Sequence, residues 1–225
     1  MASDLSALWA RCWDEELKNR KDQSPSYTQD QYSLTGRASA AYGGKKGPEW
    51  WADNGPAMIQ RWLDWRAENA GWEIWVTPDG NPAIEIELNI KLPGDIPVKM
   101  FIDRVFVLPS GQLAVLDIKS GRLPDFDEQL GLYATGLEIA YGSQFRPEWG
   151  YFWDANKGTH GTPRSLARWT APLMSQLYAE AAAGINAGSF LPKPANNCQA
   201  WCGVSDYCSV VNGSKAAGVD PLASL

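Results

Sequence analysis

Two aspartates and a lysine stand out in the stretch Val98 to Lys119, Val-Lys-Met-Phe-Ile-Asp-Arg-Val-Phe-Val-Leu-Pro-Ser-Gly-Gln-Leu-Ala-Val-Leu-Asp-Ile-Lys. Asp103 and Asp117 each stand inside an apolar run, and Lys119 follows the second by two residues. Unpaired buried charge is costly, so carboxylates in such surroundings argue for a bound partner. Two carboxylates beside an ammonium outline a divalent-metal site. The plainer alternative is a structural Asp117–Lys119 ion pair at a strand end.

The elements that must position these groups follow from the flanking pattern. Strand-favouring residues on both sides of Pro109-Ser110-Gly111 predict a hairpin, with Gly111 in the left-handed position of a three-residue loop. Leu108 then faces Gln112, and counting along the ladder brings Asp103 opposite Asp117 with Lys119 on the same face. Ile84 to Leu92 predicts a preceding strand, closed by the turn residues Pro93 to Pro97. Pairing Leu92 with Val98 puts Glu87 opposite Asp103, which would set three carboxylates on adjacent strands about 4.7–4.9 Å apart. Glu85 is the rival of Glu87, one strand repeat away. Ile102 and Phe106 are expected to share one apolar face.

The remaining elements frame this meander. Leu5, Leu8, Trp9, Cys12, Trp13 and Leu17 have helical spacing, capped by Ser3 or Asp4, which places Cys12 on a buried face. Residues 23–48 lack periodicity and read as an irregular loop. Pro56 to Asn69 predicts a helix starting at its proline, and Trp72 to Thr77 a short strand. After Lys119, Ser120 to Pro124 breaks the sheet. Asp125 and Glu128 resemble a capping box opening a helix whose apolar stripe is Phe126, Leu130, Tyr133, Ala134 and Leu137, stopping at Gly142. Gln129 and Tyr133, four apart, share one face near the end of the strand carrying Lys119. Glu148 to Trp153 returns as a strand, and Leu173 to Ala187 as a helix.

Cys12 and the cluster Cys198, Cys202 and Cys208 account for all four cysteines. Three close thiols and one distant thiol make one four-thiolate site more naturally than two disulfides, and such a site joins the chain ends. Four thiolates suit a 4Fe-4S cluster or a structural zinc, and spacing alone does not separate them.

Composition sets the outer limits. A 225-residue chain with 44% apolar residues can build a real core, and we expect one domain. The net charge of -6 argues against a general polyanion-binding surface but leaves a local basic groove open. Basic sets occur at Lys18, Arg20 and Lys21, at Arg37, Lys45 and Lys46, and at Arg164 and Arg168; each is more often a solvated face than a phosphate track. Trp50-Trp51 beside Lys45-Lys46 offers an aromatic and basic surface for single-stranded bases. No basic leader opens the chain and no apolar run approaches the ~20 residues of a membrane span, so a soluble cytoplasmic protein is expected.

The succession Glu87, Asp103 in Phe-Ile-Asp-Arg-Val, Asp117-Ile118-Lys119 and Gln129-Leu-Gly-Leu-Tyr133 resembles the RecB-like branch of the PD-(D/E)XK nuclease superfamily. The bracketing cysteines resemble its iron-sulfur subgroup, which includes CRISPR-associated RecB-like exonucleases, the AddB nuclease domain and related phage exonucleases. The resemblance implies an α/β fold with a restriction-endonuclease-like core, a mixed central sheet flanked by helices, and terminal segments joined by a four-cysteine cluster. It implies a single nuclease domain over residues 1–225, with cluster-binding ends at 1–22 and 188–210 and the core at 50–155. It further implies a DNA exonuclease using Mg²⁺ or Mn²⁺ on single-stranded DNA or DNA ends, located in the host cytoplasm if phage-encoded. Asp103, Asp117, the Ile118 carbonyl and Glu87 would hold the metal, Lys119 would orient or deprotonate the attacking water, and Gln129 and Tyr133 would contact DNA or orient the site. Cys12, Cys198, Cys202 and Cys208 would hold the 4Fe-4S cluster. A helicase or recombination partner is compatible with this reading. The alternatives are a nuclease-fold DNA-binding or assembly subunit without activity, and a zinc-stapled protein of other function. The branch commonly carries a metal-binding histidine on the helix before the sheet; here the only histidine, His160, lies beyond the core and is expected at the surface.

Overall fold

Asp4 opens the first helix by the chemistry expected of an N-cap: its carboxylate accepts the Ser6 and Ala7 N–H groups at 3.1 and 3.2 Å. The computed structural model describes residues 4–23 and 48–188, which fall into two compact units, one ending at Ala57 and one beginning at Met58. The irregular 23–48 segment and the Cys198, Cys202 and Cys208 cluster, with the chain end that carries it, lie essentially outside the described residues.

In the first unit, α1 (Leu5–Gln23) sets Trp9 in a stack on Trp51, with ring centroids 6.2 Å apart and planes 10° from parallel. Leu5, Leu8, Trp9, Trp13 and Leu17 are half-buried as the spacing predicts, but Cys12 is exposed rather than buried, with no disulfide partner among the described residues. The indoles of Trp9 and Trp13, 5.9 Å apart, take the centre of the stripe and leave Cys12 at its margin.

The second helix, α2 (Pro48–Glu68), starts eight residues before the proline at which the sequence suggests it begins. Trp51, Gly55, Met58, Trp62 and Trp65 form a continuous buried or half-buried stripe, and that packing outweighs the one hydrogen bond Pro56 removes.

The second unit is built on a seven-stranded mixed sheet in the order β1-β3-β4-β5-β6, with β2 also on β3 and β7 on β5. Its strands are β1 (Glu73–Ile74), β2 (Ile84–Leu92), β3 (Ile96–Val107), β4 (Leu113–Lys119), β5 (Trp149–Asp154), β6 (Thr159–His160) and β7 (Arg164–Ser165). Only β4 and β5 are parallel, joined through α3 (Glu128–Tyr141), while α4 (Ala171–Asn186) closes the described chain. Leu130, Leu132, Tyr133 and Leu137 of α3 and Met174 of α4 cover one face in a single core with Val105, Val115 and Phe152. Trp62 and Trp65 of α2 cover the other, edge-on to Trp153 at 5.1 and 6.4 Å. This is a curled central sheet flanked by helices, consistent with a restriction-endonuclease-like fold.

Two expectations change here. His160 is not at the surface: it is half-buried, stacked on Trp72 at 5.2 Å and edge-on to Trp65 and Tyr151. Ile102 and Phe106 do not share a face either, since Ile102 joins the core with Val105 whereas Phe106 packs on Trp65 and Trp72. The alternation of β3 therefore slips once between Ile102 and Val105, at the level of Asp103. Directly across, Glu85 of β2 has a left-handed backbone, φ 51°, and absorbs the matching slip.

Candidate active site

The β3–β4 hairpin closes through Gly111, φ 83°, with the Leu108 N–H on the Gln112 carbonyl at 2.8 Å. The ladder then runs from Val107↔Leu113 to Arg104↔Leu116 and stops. One step further on the same register, Asp103 comes level with Asp117. In a continued ladder the Ile118 N–H would meet the Ile102 carbonyl; instead it donates to Asp103 Oδ2 at 2.7 Å. The carboxylate thus substitutes for a backbone acceptor where β3 parts from β4, and it is held against the strand that carries Asp117.

Asp117 is 2% exposed, set between the sheet and the first turns of α3. Burial pushes its pKa up, an effect opposed by Lys119 and reinforced by Asp103. Lys119 Nζ lies 2.6 Å from the buried Asp117 Oδ2, a close ion pair. The same ammonium donates to Gln129 Oε1 at 3.0 Å. Gln129 Nε2 donates to Tyr133 Oη at 2.6 Å, and Tyr133 Oη donates to Asp117 Oδ1 at 3.4 Å. Asp117, Lys119, Gln129 and Tyr133 thereby form a closed ring of polar contacts. Burial first, and Asp117 next, push the Tyr133 hydroxyl well above its usual range, so it stays a neutral donor.

The fastening of α3 decides where Gln129 and Tyr133 stand, and no local pattern in the chain announces it. The capping box of Asp125 and Glu128 does not form. Asp127 precedes the helix, and its buried carboxylate accepts Trp169 Nε1 at 3.2 Å and the Arg168 guanidinium. The Trp169 ring lies so close to Gly131 that any Cβ there would collide with it, and Thr135 Oγ1 donates to the Trp169 carbonyl at 3.0 Å. Phe126, expected in the apolar stripe, lies ahead of the helix and is 79% exposed.

Glu87 does not join the pair of aspartates. The turn after β2 is Pro93-Gly94-Asp95 alone, with Gly94 and Asp95 at φ 85° and 60°, so Leu92 pairs with Ile96 rather than with Val98. That two-residue change moves Glu87 opposite Phe101, where Lys99, 2.9 Å away, and Asn89 pull its pKa down. Glu85 takes the level of Asp103 but turns to Arg104, 3.1 Å away. Among the described residues no three Asp, Glu, His or Cys side chains gather closely enough to hold a metal ion. What the site offers a hard cation is Asp103, Asp117 and the neighbouring backbone, with the Lys119 ammonium 2.6 Å from Asp117 Oδ2.

The sequence profile of the PD-(D/E)XK nuclease superfamily matches residues 2–209. The chain belongs to this superfamily. Asp117-Ile118-Lys119 has the form of the (D/E)XK in its name, and Ile102 stands where the name has proline before Asp103. Two similar proteins are the Gene 69 protein of Mycobacterium phage D29, 35% identical over 180 aligned residues, and that of Mycobacterium phage L5, 32% identical over 199. Each match takes in 72% of this chain and about two thirds of the phage protein, 66% and 68% respectively. Superfamily members typically use divalent metals and act on DNA. No helix among the described residues is long and apolar enough to cross a membrane.

Proposed function

We propose that this protein is a metal-dependent deoxyribonuclease, acting as an exonuclease on single-stranded DNA or DNA ends. The observation that carries the reading is the closed ring of Asp117, Lys119, Gln129 and Tyr133 beside Asp103. A polar ring at this depth is expensive unless it serves a site. Asp103 and Asp117, with the Ile118 carbonyl, would hold Mg²⁺ or Mn²⁺. Bound there, the ion would polarise a phosphate oxygen and make hydroxide available near neutral pH. Lys119, its ammonium oriented by Gln129, would position the attacking water and stabilise the charge that develops on phosphorus. Tyr133 fixes Asp117 and Gln129 relative to each other.

The test is degradation of end-labelled single-stranded DNA with Mn²⁺, beside an Asp117→Ala protein. Labelled fragments from the intact protein and none from the variant are expected. Among the described residues no third carboxylate gathers with Asp103 and Asp117, which favours a second reading, an inactive nuclease-fold subunit that only binds DNA. Binding without degradation by the intact protein would select it.

The 4Fe-4S cluster is part of the same proposal. The superfamily match includes all four cysteines, and Cys12 presents its thiol outward from α1. Anaerobically purified protein is expected to be brown and to contain iron, whereas a zinc-stapled protein would be colourless. The phage relatives support a place in the host cytoplasm, where a recombination or helicase partner would meet the same DNA ends.

A further inference from the structure

The segment from Ser120 to Asp127 joins the two halves of the candidate site, since Lys119 precedes it and the helix bearing Gln129 follows. Both of its ends are fixed. The Ser120 carbonyl accepts Asn156 Nδ2 at 3.0 Å, and Asp127 is buried against Trp169. Between these anchors Phe126 is 79% exposed, the most exposed large apolar side chain among the described residues. Its position is pinned rather than loose, because the next residue is one of the anchors.

Phe126 is three residues from Gln129, a Cα separation of at most about 11 Å. Gln129 in turn is 3.0 Å from the Lys119 ammonium. The Phe126 backbone therefore lies within about three nucleotides' length of Gln129, at about 3.4 Å per nucleotide of stacked strand. The two chain neighbours of Phe126 each hold a largely exposed cation, Asp125 that of Arg122 and Asp127 that of Arg168, in a chain whose net charge is -6. At the start of the segment Lys157, paired with Asp154, follows Asn156, the residue that binds the Ser120 carbonyl. The pairs of Arg122 and Lys157 are open to solvent on the cation side, where such contacts are weak and a phosphate competes well. An exposed ring on a segment with solvent-open cations is the combination that single-stranded nucleic acid uses, stacking a base while its backbone follows the charge.

We infer that Phe126 is a base-stacking residue that holds an unpaired nucleotide beside the Asp103–Asp117 site. The inference rests on the nuclease reading of that site and adds a preference for single strands, because the face of a paired base is covered by its neighbours. Phe126 binds and orients substrate; it takes no part in breaking the bond.

The experiment compares the full chain with Phe126→Ala and Phe126→Trp, by anisotropy of a labelled single-stranded oligonucleotide and by KM and kcat for its degradation with Mn²⁺. A second oligonucleotide carries consecutive abasic residues in place of bases. Phe126→Ala is expected to bind the normal strand roughly 5- to 150-fold more weakly, the range of one base-aromatic stack, with the loss in KM rather than kcat. Phe126→Trp restores binding, and on the abasic strand the intact protein and the alanine variant converge. Equal binding and equal KM for the intact and alanine proteins on the normal strand would overturn the inference while leaving the nuclease reading in place. If the intact protein neither binds nor cuts DNA, both fall together.

Discussion

At the residue scale the decisive group is Asp117, whose burial raises its pKa above the usual carboxylate value. The folded protein then holds that proton more tightly than the unfolded chain does. The stability this contributes is complete below the ordinary carboxylate pKa and is lost as pH rises through the raised folded value. Asp117→Asn removes that loss, so without metal the variant is expected to melt higher than the parent at neutral pH while degrading no DNA. Mg²⁺ competes with the same proton, so it should raise the melting temperature of the parent more at neutral than at mildly acidic pH, and that of Asp117→Asn hardly at all. Tyr133→Phe leaves Gln129 Nε2 without its acceptor and Asp117 Oδ1 without its donor. It should cost about 1–3 kcal/mol of stability, read by denaturant unfolding, and slow the reaction. The grouping of Asp103, Asp117 and Lys119 was legible in the sequence, because charged residues among strand-forming neighbours are conspicuous. The register of Glu87 is not legible, because acidic residues recur with the strand period and only the turn decides which one comes level with Asp103.

At the scale of elements, the position of Gln129 and Tyr133 depends on how Trp169 clasps the start of α3. Trp169→Ala is expected to cost about 3–5 kcal/mol, measured by denaturant unfolding. It should also lower kcat, because the clasp fixes both ring members. Gly131→Ala should be similarly damaging, since its Cβ has no room beneath the indole. Glu85, with φ 51°, gives the opposite expectation: Glu85→Gly relieves a left-handed backbone and should leave stability unchanged or slightly raised, despite losing the contact with Arg104. The hairpin register was readable because Gly111 permits one loop geometry, and α3 because its apolar spacing is regular. The slip of alternation at Asp103 was not, since Ile102, Val105 and Phe106 are all apolar and fit either face. Nor was the clasp, because nothing local to Arg168-Trp169 names Asp127 as its partner across about forty residues.

At the scale of the whole molecule, the proposed cluster would tie sequence positions at opposite ends of the chain, and the proposed catalytic set draws on neither end. Replacing Cys202 by Ser should therefore lower the melting temperature and the iron content together, while the stabilisation gained on adding Mg²⁺ remains. A variant with unchanged melting behaviour would remove the four-thiolate assignment. The single parallel pair, β4 with β5, has a consequence in time. A hairpin such as β3–β4 needs only its own turn to form, so the two aspartates can meet early in synthesis. Lys119, Gln129 and Tyr133 come together only once α3 has crossed over the sheet, and that crossover is secured by a parallel partner beginning thirty-five residues after Ala114 and by Trp169 beyond it. A chain still emerging from the ribosome would thus carry both aspartates before the ring around Asp117 has closed, and the proposed activity would have to wait for the segment that carries Trp169.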